Sequence, residues 1–211
     1  MRKIQQFLNR LFLRFWPGRK SDGGEWKKVS DARNAALTKI LGKDAGSVYT
    51  AAPPFYLGGF ADVVPFPSYI SGMTYGTADL TGPATAQVPN CFGQYELVMC
   101  MKQEDARAAS LISMLGRYTC DVNLEPFHTM DLPRHFEDDT LRALLFVPLS
   151  DPPHSFEVLG QRCGLLLCMG ITREEMQFTR TASSKRLVVL LKEQGVFPYT
   201  IPDRPPVTLP R

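Results

Sequence analysis

Between positions 48 and 90 the chain reads VYTAAPPFYLGGFADVVPFPSYISGMTYGTADLTGPATAQVPN, with prolines at 53, 54, 65, 67, 83 and 89. Proline lacks an N–H and fixes φ, so this stretch excludes helices of any length and demotes most runs to short or edge strands. Yet Phe55, Tyr56, Phe60, Val63, Val64, Phe66, Tyr69 and Tyr75 give it too much apolar surface for a solvated linker. The expectation is ordered irregular structure with short strands folded over a core.

The flanks are more periodic. Ser30 is placed to cap a helix through about Leu41, with Ala36, Leu37, Ile40 and Leu41 as its buried side and Gly42 as its stop. GQYELVMCMKQE alternates Tyr95, Leu97, Met99 and Met101 against Glu96, Val98 and Cys100, a strand covered on both faces. A helix from about Asp105 to Tyr118 carries Ala108, Leu111, Ile112, Leu115 and Tyr118 at helical spacing. LRALLFVPLSDP is a strand ending at Pro148, and GLLLCMGI is another. Helices over about 173–179 and 184–194 follow, then a proline-rich tail. Helix, strands, helix, strands, helices is an α+β order, with helices on a mixed or mainly antiparallel sheet.

Charge is divided unevenly. Residues 1–43 hold 11 Lys/Arg against three acids, and no Lys or Arg occurs between Lys43 and Lys102. The basic balance therefore belongs to the N-terminal arm and gives no support for a nucleic-acid-binding body. In that arm Ile4, Phe7, Leu8, Leu11, Phe12 and Phe15 form an amphipathic stripe, while Arg10 and Arg14 interrupt any signal-peptide core. Phe7, Leu11, Phe15 and Trp16 are its candidate contacts with a membrane surface or a partner groove. PGRKSDGGE, residues 17–25, reads as a linker. The expected organisation is an arm and linker over 1–28, a domain over 29–197 and a tail over 198–211. The five cysteines show no Cys-x-x-Cys spacing, which suits reduced thiols in a cytoplasmic protein.

Catalytic chemistry finds little footing. GLLLCMGITREEMQF turns a strand through glycine into a helix, but it lacks the successive glycines and lysine of a phosphate loop. Thr172 and Glu175 instead fit a capping box, and Glu174 and Glu175 in the first turn would repel phosphate. His128 and His135 lie near Asp131, Glu137, Asp138 and Asp139, which raises a metal-dependent hydrolase as an alternative. Their seven-residue gap contains a proline and does not match helical ligand spacing, so no metal and no cofactor is expected. No Gly-x-Ser-x-Gly elbow occurs.

Five motifs occur in order: MTYGTADL (73–80), GQYELVMCM (93–101), AASLISMLGRYT (108–119), LLFVPLSDP (144–152) and LLLCMGITREEM (165–176). The series resembles the suppressor of fused-like domain in its stand-alone bacterial form, over about residues 45–195. The resemblance implies an α+β domain with a curved sheet flanked by helices, and protein binding rather than catalysis. Animal members grip an extended peptide between two domains, for which this chain lacks the second. Bacterial relatives are proposed as immunity proteins against secreted toxins, which makes a toxin a candidate partner. Where many relatives carry His and Trp, this chain has PSYISGM. Binding is expected at an exposed sheet edge or an acidic groove, with Tyr69, Tyr75, Asp79, Glu137, Asp138 and Asp139 as candidate contacts.

Overall fold

The computed structural model describes residues 23–55, 58–83, 85–132, 140–150, 152 and 154–210. The amphipathic arm, with Phe7, Leu11, Phe15 and Trp16, lies outside these residues, as do His135 and the acids Glu137, Asp138 and Asp139. Among the described residues eight strands form one mixed sheet with four helices against it.

The first helix, α1 (Gly23–Leu41), starts earlier than the sequence suggests, because three residues of the expected linker are helical. Trp26 and Val29 carry its inner face back past Ser30, continuing the spacing Val29, Arg33, Leu37, Leu41, all buried. Trp26 stacks 5.7 Å from the Arg33 guanidinium, and Glu25 in the first turn suits the helix dipole. Gly42 ends the helix at φ +85°, where its N–H meets the Thr38 carbonyl at 2.9 Å.

The proline-rich stretch supplies β1 (Val63–Phe66) and β2 (Met73–Thr77), and Pro65 does lie on an edge strand. Next come β3 (Gln94–Met101), α2 (Ala106–Tyr118), β4 (Thr129–Asp131), β5 (Leu141–Pro148), β6 (Ser155–Val158) and β7 (Gln161–Thr172). The chain closes with α3 (Arg173–Thr181), α4 (Ser184–Glu193) and the short β8 (Tyr199–Thr200). The sheet runs β1-β2-β3-β7-β5-β4, with β6 also on β7 and β8 also on β3. The β3 pairings with β7 and β8 are parallel and the others are antiparallel.

Strand alternation explains the two-sided core. Tyr95, Leu97, Met99 and Met101 of β3 face α2 together with Leu144 and Phe146 of β5. Val98 and Cys100 face the other way, with Leu145, Val147 and the α1 and α4 residues Leu37, Leu41, Leu187 and Leu191. The layers are therefore α2, sheet, then α1 with α3 and α4. Tyr118, expected on the buried stripe of α2, is 44% exposed, because Leu115, Gly116 and Thr119 take the inner face of the last turn.

The opening of the sheet beyond Val98 shapes the rest. β3 pairs with β7 only over Gln94–Val98, and past that point β8 enters beside Cys100 and Met101. The Gly170 N–H of β7 then donates to Thr200 Oγ1 at 2.8 Å. A Cβ on Gly170 would meet Leu141 Cδ1 at 2.6 Å and Thr200 Cγ2 at 2.8 Å, so any larger residue would have to displace both side chains.

Candidate functional site

Sheet edges are the first places to look for binding, because an unpaired edge offers a row of main-chain donors and acceptors. The β1 edge is closed. Tyr49 and Val63 exchange both main-chain bonds, at 2.8 and 3.1 Å, and the Pro65 carbonyl accepts the Ala45 N–H at 2.9 Å. Pro65 has no N–H to offer.

The β4 edge is open. Leu132 N–H donates to the Arg142 carbonyl, and Phe146 N–H to the His128 carbonyl. These bonds turn even-numbered residues toward β5, leaving the main-chain groups of Thr129 and Asp131 facing outward. No partner among the described residues takes them. Asp131 is exposed, and Thr129 and Met130 are half-buried.

Next to this edge lies an open apolar cleft of about 400 Å³, a volume that includes space open to solvent. Met99, Met101, Leu111, Leu132, Leu144 and Gly170 line it where β3 and β7 separate, so it is a consequence of the opened sheet. At its rim, Asp105 caps α2 and pairs with Arg107 at 2.8 Å. The Arg107 guanidinium holds the Asp105 carboxyl below its usual range. A hydrophobic hollow with a charged rim, one residue from a free strand edge, suits a protruding apolar side chain of an extended chain.

The candidate contacts do not assemble into one patch. Tyr69 is half-buried between β1 and β2 and packs on the α1 side of the sheet. Tyr75 is wholly buried, and its hydroxyl accepts the Asp105 N–H at 2.9 Å, tying β2 to the start of α2. Burial pushes this phenol up to about 12. Asp79 is 6% exposed and accepts the Asp62 N–H at 3.2 Å. Contact roles for Tyr75 and Asp79 thus give way to internal ones, since neither presents a side chain to a partner. The expected acidic groove shrinks for the same reason. Of the acids in the Lys/Arg-free span, Asp79 and Glu96 are inside, where main-chain N–H groups and hydroxyls need acceptors.

Asp79 Oδ1 is buried without a hydrogen-bond partner. Burial, reinforced by nearby Glu96, pushes the carboxyl up to about 8. A folded pKa above the unfolded one means that the native state holds the extra proton between about pH 4 and 8. Stability therefore falls as pH rises through that window and levels off above it. Asp79→Asn, which cannot ionise, is expected to be near neutral at pH 4 and stabilising by about 1–3 kcal/mol at pH 8.5. Thermal melts of both proteins at the two pH values check this, and a variant less stable than wild type at pH 8.5 would refute it.

Catalytic features stay sparse. His128 is exposed just before β4. Among the described residues no group of three His, Cys, Asp or Glu side chains is placed to hold a metal. All five cysteines are free. Burial pushes Cys100 up to about 12 and Cys163 to about 11, the reverse of an activated thiolate. No helix among the described residues is long and apolar enough to cross a membrane.

Residues 59–205 match the family model of the suppressor of fused protein (SUFU). No curated protein matches the sequence. Among solved structures the fold is similar to that of a suppressor of fused homolog from Neisseria gonorrhoeae FA 1090. That pair has a TM-score of 0.65 at 15% identity, over 88% of this chain and 100% of the other. Drosophila Suppressor of Fused gives a TM-score of 0.57 at 13% identity, over 80% of this chain and 46% of that one. A chain of the Sufu–Fu complex gives 0.54 at 12% identity, over 79% and 83%. At these identities the likeness carries the fold.

Proposed function

The chain belongs to the suppressor of fused family, and on that premise we propose that it is a protein-interaction domain rather than an enzyme. The partner adds an extended segment to the β4 edge and seats an apolar side chain in the adjoining cleft. One observation carries this reading: among the described residues the outward main-chain groups of Thr129 and Asp131 are unpaired, whereas those of β1 are covered. Strand addition draws affinity from main-chain bonds, so no distinctive side-chain motif is needed. The likeness to a chain of the Sufu–Fu complex agrees with a protein partner. Tyr69, and Glu137, Asp138 and Asp139 between β4 and β5 in sequence, are proposed secondary contacts.

The test uses a residue whose N–H points away from β5. Asp131→Pro removes that outward donor and places a ring in the path of an added strand, while the Leu132 bond to Arg142 remains. Partner captured by crosslinking in its native cells is identified and titrated calorimetrically against both forms of the full chain. Affinity is expected to fall about tenfold or more, with the melting temperature held within a few degrees. Equal affinity would remove the edge from the reading, and the absence of any saturable protein partner would remove the reading itself. The finer proposal, an immunity-type inhibitor, makes the partner a toxin. Coexpression with a toxin from a neighbouring gene should restore growth for wild type and not for Asp131→Pro.

A further inference from the structure

Open sheet edges invite pairing with another chain, and proteins blunt them with proline, covering segments or charge. The β1 edge has the first two, through Pro65 and the Tyr49 segment. The β4 edge carries one charge, Asp131, which is exposed and has no ion pair among the described residues. Strand parity gives this edge two unlike faces. Thr129 and Asp131 lie opposite Leu145 and Ala143, which face α4, while Met130 lies opposite Leu144, which faces α2. Phe127 belongs to the α4 face too, and Lys185 of α4 lies 5.1 Å from its ring. Lys185 is exposed and likewise has no ion pair among the described residues. One face of the edge therefore holds a cation at its start and a carboxylate at its end.

That pattern complements itself when two copies run antiparallel, and the register follows from the hydrogen bonds. Centred on Met130, the pairing sets Thr129 of each copy opposite Asp131 of the other, so their outward main-chain groups satisfy each other in full. Met130 then meets Met130 on the α2 face. Centring on Thr129 would set Asp131 opposite Phe127, whose N–H already donates to the Phe146 carbonyl. Centring on Asp131 would set two carboxylates directly against each other, which destabilises a sheet. In the Met130 register each Asp131 is instead diagonal to Phe127 of the other copy, within reach of the long Lys185 side chain on that ring.

We propose that, without a partner, the β4 edge is covered by a second copy of this chain in that register, with Lys185 of each copy paired to Asp131 of the other. The contact is isologous, so it closes as a dimer and does not propagate. A three-residue strand buries little area, so the dimer is weak and reversible. Its consequence for the site rests on the reading of β4 as the partner-binding edge. Self-pairing uses the same main-chain groups as strand addition, so a partner segment must displace the second copy. Partner binding dissolves the dimer, and apparent affinity for the partner falls as the chain's own concentration rises.

Sedimentation equilibrium of the full chain over a concentration series tests the proposal. A monomer–dimer equilibrium is expected, and Asp131→Pro should leave monomer alone. Asp131→Lys and Lys185→Asp should each weaken the dimer by about tenfold or more, and the two together should restore it to within a few-fold of wild type. Thermal melts confirm that each variant folds. In a Cys91→Ser background, Met130→Cys should form an intermolecular disulfide on mild oxidation and Thr129→Cys should not, which reads the register even where association is weak. Failure of that cross-link, a dimer indifferent to Asp131→Pro, or a double exchange that restores nothing would each overturn the proposal. The partner site is tested apart from this. A partner lost by Asp131→Pro from a wild-type chain that neither dimerises nor cross-links would end self-pairing and keep the β4 reading.

Discussion

Replacing Arg204 with alanine is expected to lower stability by about 3–5 kcal/mol, the loss typical when one partner of a buried ion pair is removed. Arg204 is 7% exposed and Glu175 is wholly buried. Its two terminal nitrogens donate to the two carboxylate oxygens at 2.5 and 2.6 Å. The same carboxylate takes the Val207 N–H at 2.8 Å and the Thr172 N–H at 3.0 Å. Alanine would leave a buried carboxylate with two donors in place of four. Because 1 kcal/mol shifts the melting temperature by about 2–4 °C at this size, a fall of about 6–20 °C should follow. The pair also anchors the segment after β8, so proteolysis within residues 198–210 should become faster than elsewhere. Glu175→Leu/Arg204→Met should recover part of the loss, since no charge stays buried, but not the part due to the Val207 and Thr172 amides. A loss below about 1 kcal/mol in Arg204→Ala would refute the ion pair as an anchor.

That residue marks how far local reading reaches. The Thr172–Glu175 capping box is legible from four consecutive positions and is present, with both reciprocal bonds. The second task of Glu175 is not legible, because its partner lies 29 residues away in a proline-rich segment with no periodicity. The alternation in β3 and the spacing in α2 are readable for the same local reason. The early turns of α1 were hidden by Gly23 and Gly24, poor helix formers whose placement is decided by the packing of Val29 on Val158 and Cys163. The open edge escapes sequence reading altogether. Thr129 to Asp131 looks no more available than Val63 to Phe66, and only the strand order with the covering Tyr49 segment separates them. Tyr75 and Asp79 looked like surface groups because a turn-rich, polar neighbourhood usually is one, and here it folds inward.

The second large effect belongs to Glu96, an acid that the alternation of β3 places on the face opposite Tyr95 and that is nevertheless wholly buried. Its carboxylate accepts Thr77 Oγ1 at 2.6 Å, Thr81 Oγ1 at 2.8 Å, Thr81 N–H at 2.9 Å and Leu80 N–H at 3.4 Å. Arg33 of α1 approaches it at 3.9 Å and donates to the Thr81 carbonyl at 2.9 Å. Glu96 thus joins β3, the turn after β2 and the inner face of α1. Glu96→Ala would strand two main-chain N–H groups and a buried guanidinium at once, for an expected loss of about 3–5 kcal/mol. Glu96→Gln keeps the shape, but its amide nitrogen cannot accept the Thr81 or Leu80 N–H, so a loss of about 1–3 kcal/mol is expected. Denaturant titration ranks the three proteins, and Glu96→Gln losing as much as Glu96→Ala would contradict the acceptor account. Hydrogen exchange separates this anchor from the Arg204 one. In Glu96→Ala the amides of α1 should open first, and those after β8 should not.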